Sequence, residues 1–289
     1  MTTEAWLARF MAAERLPERY AQVVRDVAAP LAGKIAAAGR PGGIVVGICG
    51  AQASGKSTLT AVLRRLLEER GLTVALFSLD DLYLTRGQRQ ALAREAHPLL
   101  AVRGVPGTHD VALGARLLAE LRRPGLHELP AFDKARDDRR EAGTAFAGPA
   151  DVVLFEGWCV GAAPQPPQAL AAPVNALEAE RDPDGVWRRY VNAALAGPYQ
   201  ALFRALDLLI LLQAPSFEVV LDWRIEQERK LRERLAREGG DASRVMSDAQ
   251  VGAFIAHYER LTRWILEEMP GRADLVVALD AERRPSLRA

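Results

Sequence analysis

Short apolar, β-branched runs recur along the chain, and each run is followed by a polar residue or a breaker. The runs cover residues 44–49, 72–79, 151–155, 206–213 and 274–279. Each run is mainly apolar at consecutive positions rather than at every second position, so it predicts a strand buried on both faces, which is typical of a parallel sheet. We therefore expect chemistry at the carboxyl ends of these strands.

Helical periodicity fills much of the remaining sequence. Residues 1 to about 40 have amphipathic spacing and end at a Gly/Pro-rich breaker. A helix is predicted from about Ser57 to Arg70, directly after the first apolar run. Two long helices are predicted near the C-terminus, over 216–238 and 246–269, and the second opens with the capping-box residues Ser247 to Gln250.

Composition narrows the classes of protein that this chain can belong to. The 289 residues include 38 Lys and Arg against 37 Asp and Glu, so there is no basic excess for nucleic acid or an anionic membrane. No apolar run approaches the roughly 18 residues that span a bilayer. Cys49 and Cys159 are expected to be buried thiols in a reducing compartment. We expect a soluble, cytoplasmic protein, and its oligomeric state is left open.

One motif indicates the class of site. Residues 50–57 read Gly-Ala-Gln-Ala-Ser-Gly-Lys-Ser and match G-x-x-x-x-G-K-[ST] between a predicted strand and a predicted helix. Such a loop points backbone N–H groups at a polyphosphate, and the start of the helix adds its positive dipole end. We expect Lys56 to reach the β- and γ-phosphates of ATP and the Ser57 hydroxyl to bind Mg²⁺. The expected nucleotide contacts are Gly50, Ala51, Gln52, Ala53, Ser54, Gly55, Lys56, Ser57 and Thr58.

These elements together predict the architecture. Strand, helix and strand follow one another within residues 44–79, which indicates a βαβ unit and a parallel sheet with a right-handed crossover. The predicted fold is α/β, a P-loop NTPase fold with a parallel sheet flanked by helices. A helical N-terminal segment at 1–43 precedes a kinase domain at 44–289. Residues 84–148, with little strand pattern, are expected to form a cap on the acceptor side, where the substrate that accepts the phosphoryl group would bind.

Acidic residues at two strand ends are the candidates for chemistry beyond nucleotide binding. Glu156 ends the run at 151–155 and is expected to hold Mg²⁺ or its waters; the alternative is that it caps the following loop. Asp80 and Asp81 end the strand after the P-loop helix, and one of them can accept a proton from a substrate hydroxyl. Adjacent residues on a strand point to opposite faces, so only one can face the γ-phosphate. The residues alone do not decide which.

Four separated strings carry a resemblance to a known family. They are Ser-Leu-Asp-Asp-Leu-Tyr-Leu-Thr at 78–85, Arg-Gly-Val-Pro-Gly-Thr-His-Asp at 103–110, Phe-Glu-Gly-Trp at 155–158 and Met-Ser-Asp at 246–248. With the P-loop, they make the chain from about residue 44 to its end resemble the plant-type D-glycerate 3-kinases and their fungal and bacterial relatives. Those enzymes are similar in turn to phosphoribulokinase, uridine kinase and bacterial pantothenate kinase.

The resemblance implies roles for individual residues. It implies that Asp80 is the catalytic base, acting with Lys56, and that Glu156 is the acid near the metal. It also implies an acceptor site, whose expected residues are Asp81, Tyr83, Arg103, His109, Asp110, Lys134 and Arg139. The segment 130–139 keeps Lys134 and Arg139 but lacks the glycines usual in the family. Independently, a small carboxylate needs a fork of donors, which arginine supplies best, although such charges can also form a solvated loop.

Two further expectations concern the end of the chain and the reaction. In P-loop kinases a mobile lid brings arginine to the transferring phosphate, and we expect Arg232 or its neighbours to do so, with a hinge at 239–241. The predicted reaction is phosphoryl transfer from MgATP to a small hydroxy acid, D-glycerate first. The alternatives are the same chemistry on pantothenate, a nucleoside or a sugar phosphate, and a regulatory ATPase without an acceptor.

Overall fold

The structure is a computed structural model that describes residues 3–238 and 245–288. The strands in these ranges are β1 Ile44–Gly50, β2 Val74–Ser78, β3 Gly125–Leu129, β4 Phe132–Asp133, β5 Asp138–Arg139, β6 Thr144–Gly148, β7 Val152–Gly157, β8 Leu208–Gln213, β9 Leu275–Leu279 and β10 Pro285–Leu287. The α-helices are α1 Thr3–Ala13, α2 Tyr20–Val23, α3 Ala29–Ala37, α4 Lys56–Glu68, α5 Arg86–Glu95, α6 Val111–Glu120, α7 Ala176–Arg181, α8 Val186–Ala194, α9 Gln200–Phe203, α10 Phe217–Glu238 and α11 Asp248–Glu268.

The described residues form a sheet in the order β10-β9-β8-β1-β7-β2, parallel except for β10. All five strands predicted from the apolar runs are present, so the α/β prediction is confirmed. The strand β7 lies between β1 and β2, which the succession of elements along the chain did not predict. This order brings the end of β7 beside the P-loop that follows β1.

Alternate residues of the central strands pack into two cores, one on each face of the sheet. On β1, Val45 and Cys49 belong to the core that includes α6 and α11. Val46 and Ile48 belong to the opposite core, with α3, α4 and α10. Because every position of β1 and β7 is buried, these two strands read as continuous apolar runs in the sequence. The sheet is therefore covered by helices on both faces.

The N-terminal helices pack on the same core as the P-loop helix. The helix α2 continues through a π-helical turn at Val24–Ala28 into α3. Pro30 lies in the first turn of α3 and has no N–H to donate, so the widened turn before it has a physical cause. Leu31 and Ile35 are fully buried against the sheet and α4. These helices thus help to fix the position of α4.

The acceptor-side segment 84–148 is built differently from the sheet. It holds α5, α6 and two small antiparallel strand pairs, β3 with β6 and β4 with β5. Elsewhere, Ser247 and Gln250 form the predicted capping box at the start of α11. Both cysteines are buried and free, as expected. None of the helices in the described ranges combines the length and apolarity that a membrane crossing requires.

Candidate active site

The P-loop connects the end of β1 to the start of α4 at the carboxyl edge of the sheet. Gly55 has φ 87°, a left-handed conformation that glycine adopts without strain, and Ala53 has φ 57°. A Cβ at Gly50 would lie 2.9 Å from the Ser54 Oγ. Glycine is therefore needed at position 50 to let the loop fold on itself, and at position 55 for its backbone angle. Residues 52–58 line a large cleft.

Two P-loop side chains present polar atoms that are not satisfied within the protein. Both amide atoms of Gln52 and the Oγ of Ser54 are buried, with no hydrogen-bond partner among the described residues. Buried polar groups without partners are costly, and in native proteins they are usually satisfied by water or a ligand. The loop is therefore suited to a polar ligand that contacts its side chains as well as its backbone.

Glu156, at the end of β7, meets the P-loop directly. The Ser57 hydroxyl donates to Glu156 Oε1 at 2.8 Å, and Lys56 Nζ lies 3.7 Å from Oε2. Burial disfavours the charge of Lys56, but the carboxylates of Glu156 and Asp80 raise its pKa above the usual value. Lys56 is therefore a cation. It lies between the two strand-end acids that the sequence singled out.

The residues around Ser57 fit a magnesium ion. Glu156 is only 6% exposed, and its Oε2 has no hydrogen-bond partner in the described chain. The described ranges contain no cluster of three or more His, Cys, Asp or Glu side chains suited to a metal. Mg²⁺ is typically held by one or two protein oxygens, with phosphate oxygens and waters completing its shell. A hydroxyl and a carboxylate whose second oxygen has no hydrogen bond and lies 3.7 Å from Lys56 Nζ match that preference.

Asp80 and Asp81 have different environments, although they are neighbours in a 3₁₀ turn at Leu79–Leu82. Asp80 Oδ1 accepts a hydrogen bond from Tyr83 at 2.8 Å, and Oδ2 accepts one from Lys134 at 2.7 Å. Burial would raise its pKa, but Lys134, Lys56 and the two hydrogen bonds lower the pKa of Asp80 to about 2. Asp80 is therefore ionised, and it lines the cleft.

Asp81 instead binds the backbone. It forms a capping box with Ser78, and its two oxygens accept from the N–H groups of Ser78 at 3.1 Å and Phe132 at 3.3 Å. Burial raises the pKa of Asp81, and the two backbone hydrogen bonds oppose that effect. Its carboxylate fixes the turn that carries Asp80 and connects that turn to β4. Asp81 also borders the cleft, but both of its oxygens already have partners.

Tyr83, the donor to Asp80, is held by a buried aromatic group. Its ring stacks on His109 with centroids 4.6 Å apart, and His109 Nδ1 lies 2.5 Å from the Tyr199 hydroxyl. Burial lowers the pKa of His109 to about 3, so the imidazole is neutral at physiological pH. His109 does not line the cleft. It lies behind Tyr83 as seen from the cleft.

The loop at 103–110 follows a path fixed by contacts to its backbone. The Tyr258 hydroxyl donates to the carbonyl of Arg103 at 2.9 Å, and Trp158 Nε1 donates to that of Gly104 at 2.8 Å. Gly104 has φ 132°, and a Cβ there would lie 1.9 Å from the Tyr258 oxygen. Of the expected contacts in this loop, only Arg103 lines the cleft. Its guanidinium pairs with Asp137.

Of the other expected acceptor contacts, some line the cleft and others lie behind it. Lys134 lines the cleft, and its side chain is 62% exposed. Asp110 caps α6, accepting from Leu113 N at 3.0 Å, and pairs with Arg139 at 3.2 Å. Arg139 also donates to the Tyr83 carbonyl at 2.8 Å. Asp110 and Arg139 do not line the cleft. Their polar groups hold the turn after Asp80 against β5.

The helix α10 contributes cations to the cleft, among them neighbours of Arg232 but not Arg232 itself. Arg232 donates to the carbonyl of Met246 at 2.7 Å and does not line the cleft. Arg224, Lys230 and Arg234 do line it. Arg224 pairs with Glu228, whose other oxygen accepts from the backbone N–H of Met246 at 3.2 Å. The expected hinge at 239–241 lies outside the described residues.

Several cleft residues were not identified from the sequence. Trp158 lies in the Phe-Glu-Gly-Trp string at 155–158. The sequence does not indicate that its indole binds the loop at 103–110. Tyr258 is one apolar position among many on α11. The N-terminal residues 14–27 and the turn at 282–285 also line the cleft. No local signal marks these two segments, because the fold alone brings them to the P-loop.

Comparisons with known proteins agree with this geometry. No family model matches the sequence. The chain is 33% identical over 231 residues to the uncharacterized kinase mug58 of Schizosaccharomyces pombe, covering 76% of this chain and 79% of that protein. It is 31% identical over 267 residues to the chloroplastic D-glycerate 3-kinase of Arabidopsis thaliana, covering 84% of this chain and 54% of that protein. The chain thus spans about half the length of the Arabidopsis protein.

A solved structure extends the similarity to the whole fold. The D-glycerate 3-kinase of Cryptococcus neoformans var. grubii superposes with a TM-score of 0.73 at 27% identity, over 90% of this chain and 99% of that chain. The P-loop, the acid at the end of β7 and the acid after β2 lie together at the carboxyl edge of the sheet. The family resemblance found in the sequence is confirmed, and the chain belongs to the D-glycerate 3-kinase family of ATP-dependent P-loop kinases.

Proposed function

We propose that this chain transfers the γ-phosphoryl group of ATP to a hydroxyl of a small hydroxy acid, and that D-glycerate is the acceptor and 3-phosphoglycerate the product. The observation that carries the proposal is the placement of Asp80. It is ionised, it lines the cleft that the P-loop also lines, and the charge of Lys56 acts on it. The similarity to D-glycerate 3-kinases supports the choice of acceptor.

The side chains that line the cleft have separate roles in this reaction. The acceptor oxygen attacks the γ-phosphorus, the bond from that phosphorus to the β–γ bridging oxygen breaks, and ADP leaves. Asp80 orients the acceptor hydroxyl and takes its proton; Tyr83 and Lys134 hold the carboxylate in position. Because its pKa is about 2, Asp80 takes that proton only as the new P–O bond forms and makes the acceptor O–H strongly acidic.

Lys56 stabilises the negative charge on the transferring group, acting from the end of a loop that needs no rearrangement. Ser57 and Glu156 would hold Mg²⁺, which supplies charge neutralisation at the phosphates. Arg103 lies at the acceptor end of the cleft, where a carboxylate of the acceptor would need a donor fork. Lys134 adds a second cation there. We assign Asp81, His109, Asp110 and Arg139 to positioning these groups.

We place the reaction in the cytoplasm, in keeping with two buried free thiols and a small-molecule substrate. A coupled assay of ADP release tests the proposal, with D-glycerate, pantothenate, nucleosides and sugar phosphates as acceptors. The expected result is release that depends on the acceptor and has its highest kcat/KM with D-glycerate. A preference for another acceptor would overturn the glycerate assignment alone. Release that no acceptor increases would contradict the kinase proposal and favour an ATPase.

A further inference from the structure

The carboxylate of Asp80 has two partners, one buried and one exposed. The Tyr83 hydroxyl donates to Oδ1, and the Lys134 ammonium group donates to Oδ2 at 2.7 Å. Tyr83 is 4% exposed and its ring stacks on His109, whereas the side chain of Lys134 is 62% exposed. Lys134 can therefore leave Asp80 without disturbing any packing, and Tyr83 cannot.

The turn that carries Lys134 is nevertheless fixed beside Asp80. The backbone N–H of Phe132 donates to Asp81 at 3.3 Å, and the Phe132 ring packs edge-on against Tyr83 with centroids 5.1 Å apart. Asp133 accepts from two backbone N–H groups later in the turn, at 2.9 and 3.1 Å. Lysine has a flexible four-carbon stem, so the ammonium group can change direction while its backbone stays in place.

Two cations lie at the acceptor end of the cleft, and they are held differently. Arg103 pairs with Asp137, and its guanidinium lies over the Phe132 ring at 5.6 Å from the centroid. In the described part of the chain, Lys134 pairs with Asp80 alone. An ion pair as exposed as this one costs little to break. A carboxylate that enters this end of the cleft therefore competes with Asp80 for the ammonium group of Lys134.

The pair with Lys134 makes Asp80 a poor base. It occupies Oδ2, the oxygen that Tyr83 does not use. Burial would raise the pKa of Asp80, but Lys134 and Lys56, together with the two hydrogen bonds, lower it to about 2. General bases are most effective when their pKa is near the working pH. While Lys134 is bound, Asp80 is thus a weak base for any hydroxyl, that of water included.

We propose that Lys134 exchanges partners during the reaction: it binds Asp80 until an anionic acceptor enters, then binds the carboxylate of the acceptor and leaves Oδ2 to the acceptor hydroxyl. This inference rests on the proposed function, because it needs Asp80 as the base. It gives Lys134 a role in selecting the substrate class. A hydroxy acid removes Lys134 from the base, whereas a neutral polyol or water leaves the base occupied.

The exchange also restrains a side reaction. When water replaces the acceptor, its oxygen attacks the γ-phosphorus and its proton passes to Asp80. The bond from that phosphorus to the β–γ bridging oxygen breaks, and ADP and inorganic phosphate are the products. Because Lys134 stays on Asp80 when no carboxylate is present, this hydrolysis is slow. Removal of the ammonium group should therefore speed the hydrolysis of ATP.

The test measures ADP release by the full chain with MgATP, first without an acceptor and then with D-glycerate. Lys134→Met keeps the length of the side chain and removes its charge. Release without an acceptor should rise about twofold to fivefold, the range expected for loss of one partly exposed ion pair. The kcat/KM for D-glycerate should fall about tenfold to a hundredfold, because the carboxylate of the acceptor loses a charged hydrogen bond. A variant that is merely misfolded would lose both activities.

A neutral probe and a conservative variant make the test sharper. Glycerol has the hydroxyls of glycerate without its charge, so its kcat/KM should rise in Lys134→Met by the same factor as hydrolysis. Lys134→Arg keeps a cation at this position and should keep ADP release without an acceptor as low as in the unaltered chain. In the Asp80→Asn background, Lys134→Met should produce no rise, because the base is absent.

Arg136→Met is the matched control, since Arg136 is an exposed cation on the same turn and does not line the cleft. It should change neither activity. If Lys134→Met leaves hydrolysis unchanged or lowers it, Lys134 does not restrain the base and the inference is overturned, while activity with D-glycerate leaves the proposed function standing. The inference also fails if Lys134→Arg raises hydrolysis as much as Lys134→Met. If the unaltered chain phosphorylates no acceptor, the proposed function itself fails.

Discussion

The central sheet and the acceptor-side segment 84–148 are held together by different forces. The sheet depends on backbone ladders between strands that are buried on both faces. In the acceptor-side segment, charged and polar side chains bind backbone carbonyls instead. Arg89, for example, is fully buried and donates to the carbonyl of Leu84 at 2.6 Å and to Asp137. Arg139 makes similar contacts after the turn of Asp80.

Because of this difference, charged side chains have different functions in the two regions. At the carboxyl edge of the sheet, the charged groups of Lys56, Asp80 and Glu156 contact one another or other side chains around the cleft rather than backbone carbonyls. In the acceptor-side segment a charged side chain can be a structural element. Substitutions of the cleft residues should therefore affect catalysis, and substitutions of the arginines that bind backbone carbonyls should affect stability.

The largest effect is expected at the P-loop. Lys56→Ala should abolish measurable phosphoryl transfer, because loss of a preorganised cation at the transferring phosphate raises the barrier by about 3 kcal/mol or more. Thermal unfolding should show a folded protein. Lys34→Ala, an exposed lysine on α3 away from the cleft, is the control and should keep full activity. A folded Lys56→Ala variant with near-normal activity would refute the role of the P-loop.

The two adjacent acids provide the next test. Asp80→Asn should lower kcat by roughly a hundredfold to ten-thousandfold with little change in ATP affinity, because an amide cannot accept the proton. Asp81→Asn should mainly lower the free energy of unfolding, by about 1 kcal/mol, since one of its two backbone hydrogen bonds is lost. Both are measured at saturating ATP and acceptor, with chemical denaturation in parallel. If Asp81→Asn proves to be the inactive variant, the base is misassigned.

Arg103 and Arg139 compare a cleft arginine with a structural one. Arg103→Gln should raise the KM for the acceptor about tenfold to a hundredfold, the range expected for one charged hydrogen bond. Arg139→Gln should lower the free energy of unfolding by about 1–3 kcal/mol, because the Tyr83 carbonyl loses the Arg139 donor and Asp110 loses its charged partner. Arg136→Gln, exposed on the same hairpin, should change neither quantity. Equal effects of the first two variants on KM would show that the distinction does not hold.

The smallest effect concerns pH and stability. His109 has a folded-state pKa of about 3, below its unfolded value, so the unfolded chain binds the extra proton between these values. The contribution of His109 to the free energy of unfolding is complete above its unfolded-state pKa. It is lost progressively as the pH falls from that value to the folded-state pKa. Removing the imidazole, as in His109→Asn, should reduce the acid-side slope of the unfolding free energy by up to about 1.4 kcal/mol per pH unit. Denaturation curves between neutral pH and pH 4 measure this slope. An unchanged slope would mean that His109 is not held neutral.

The contrast between the central sheet and the segment 84–148 also explains which features could be predicted from the sequence. Fold class, all five parallel strands and the P-loop follow from periodicity and one motif, because both are local properties. Glu156 was identified because it ends an apolar run. The choice between Asp80 and Asp81 depended on the resemblance, since the contacts that distinguish the two acids come from Lys134 and Phe132, about fifty residues away. The positions of Arg139 and Asp110 behind the cleft could not be predicted, because their partners are backbone groups that only the folded loop brings together.

The hydrogen bonds that hold the loop at 103–110 also limit how the acceptor preference of this enzyme can change in evolution. Trp158 and Tyr258 fix the backbone at Arg103 and Gly104, and no side chain can replace the glycine while the tyrosine is in place. Heritable change in acceptor preference is therefore confined to the few side chains that project from this fixed frame. Lys134 is largely exposed but binds Asp80, so a change of preference at that position would also alter the surroundings of the base.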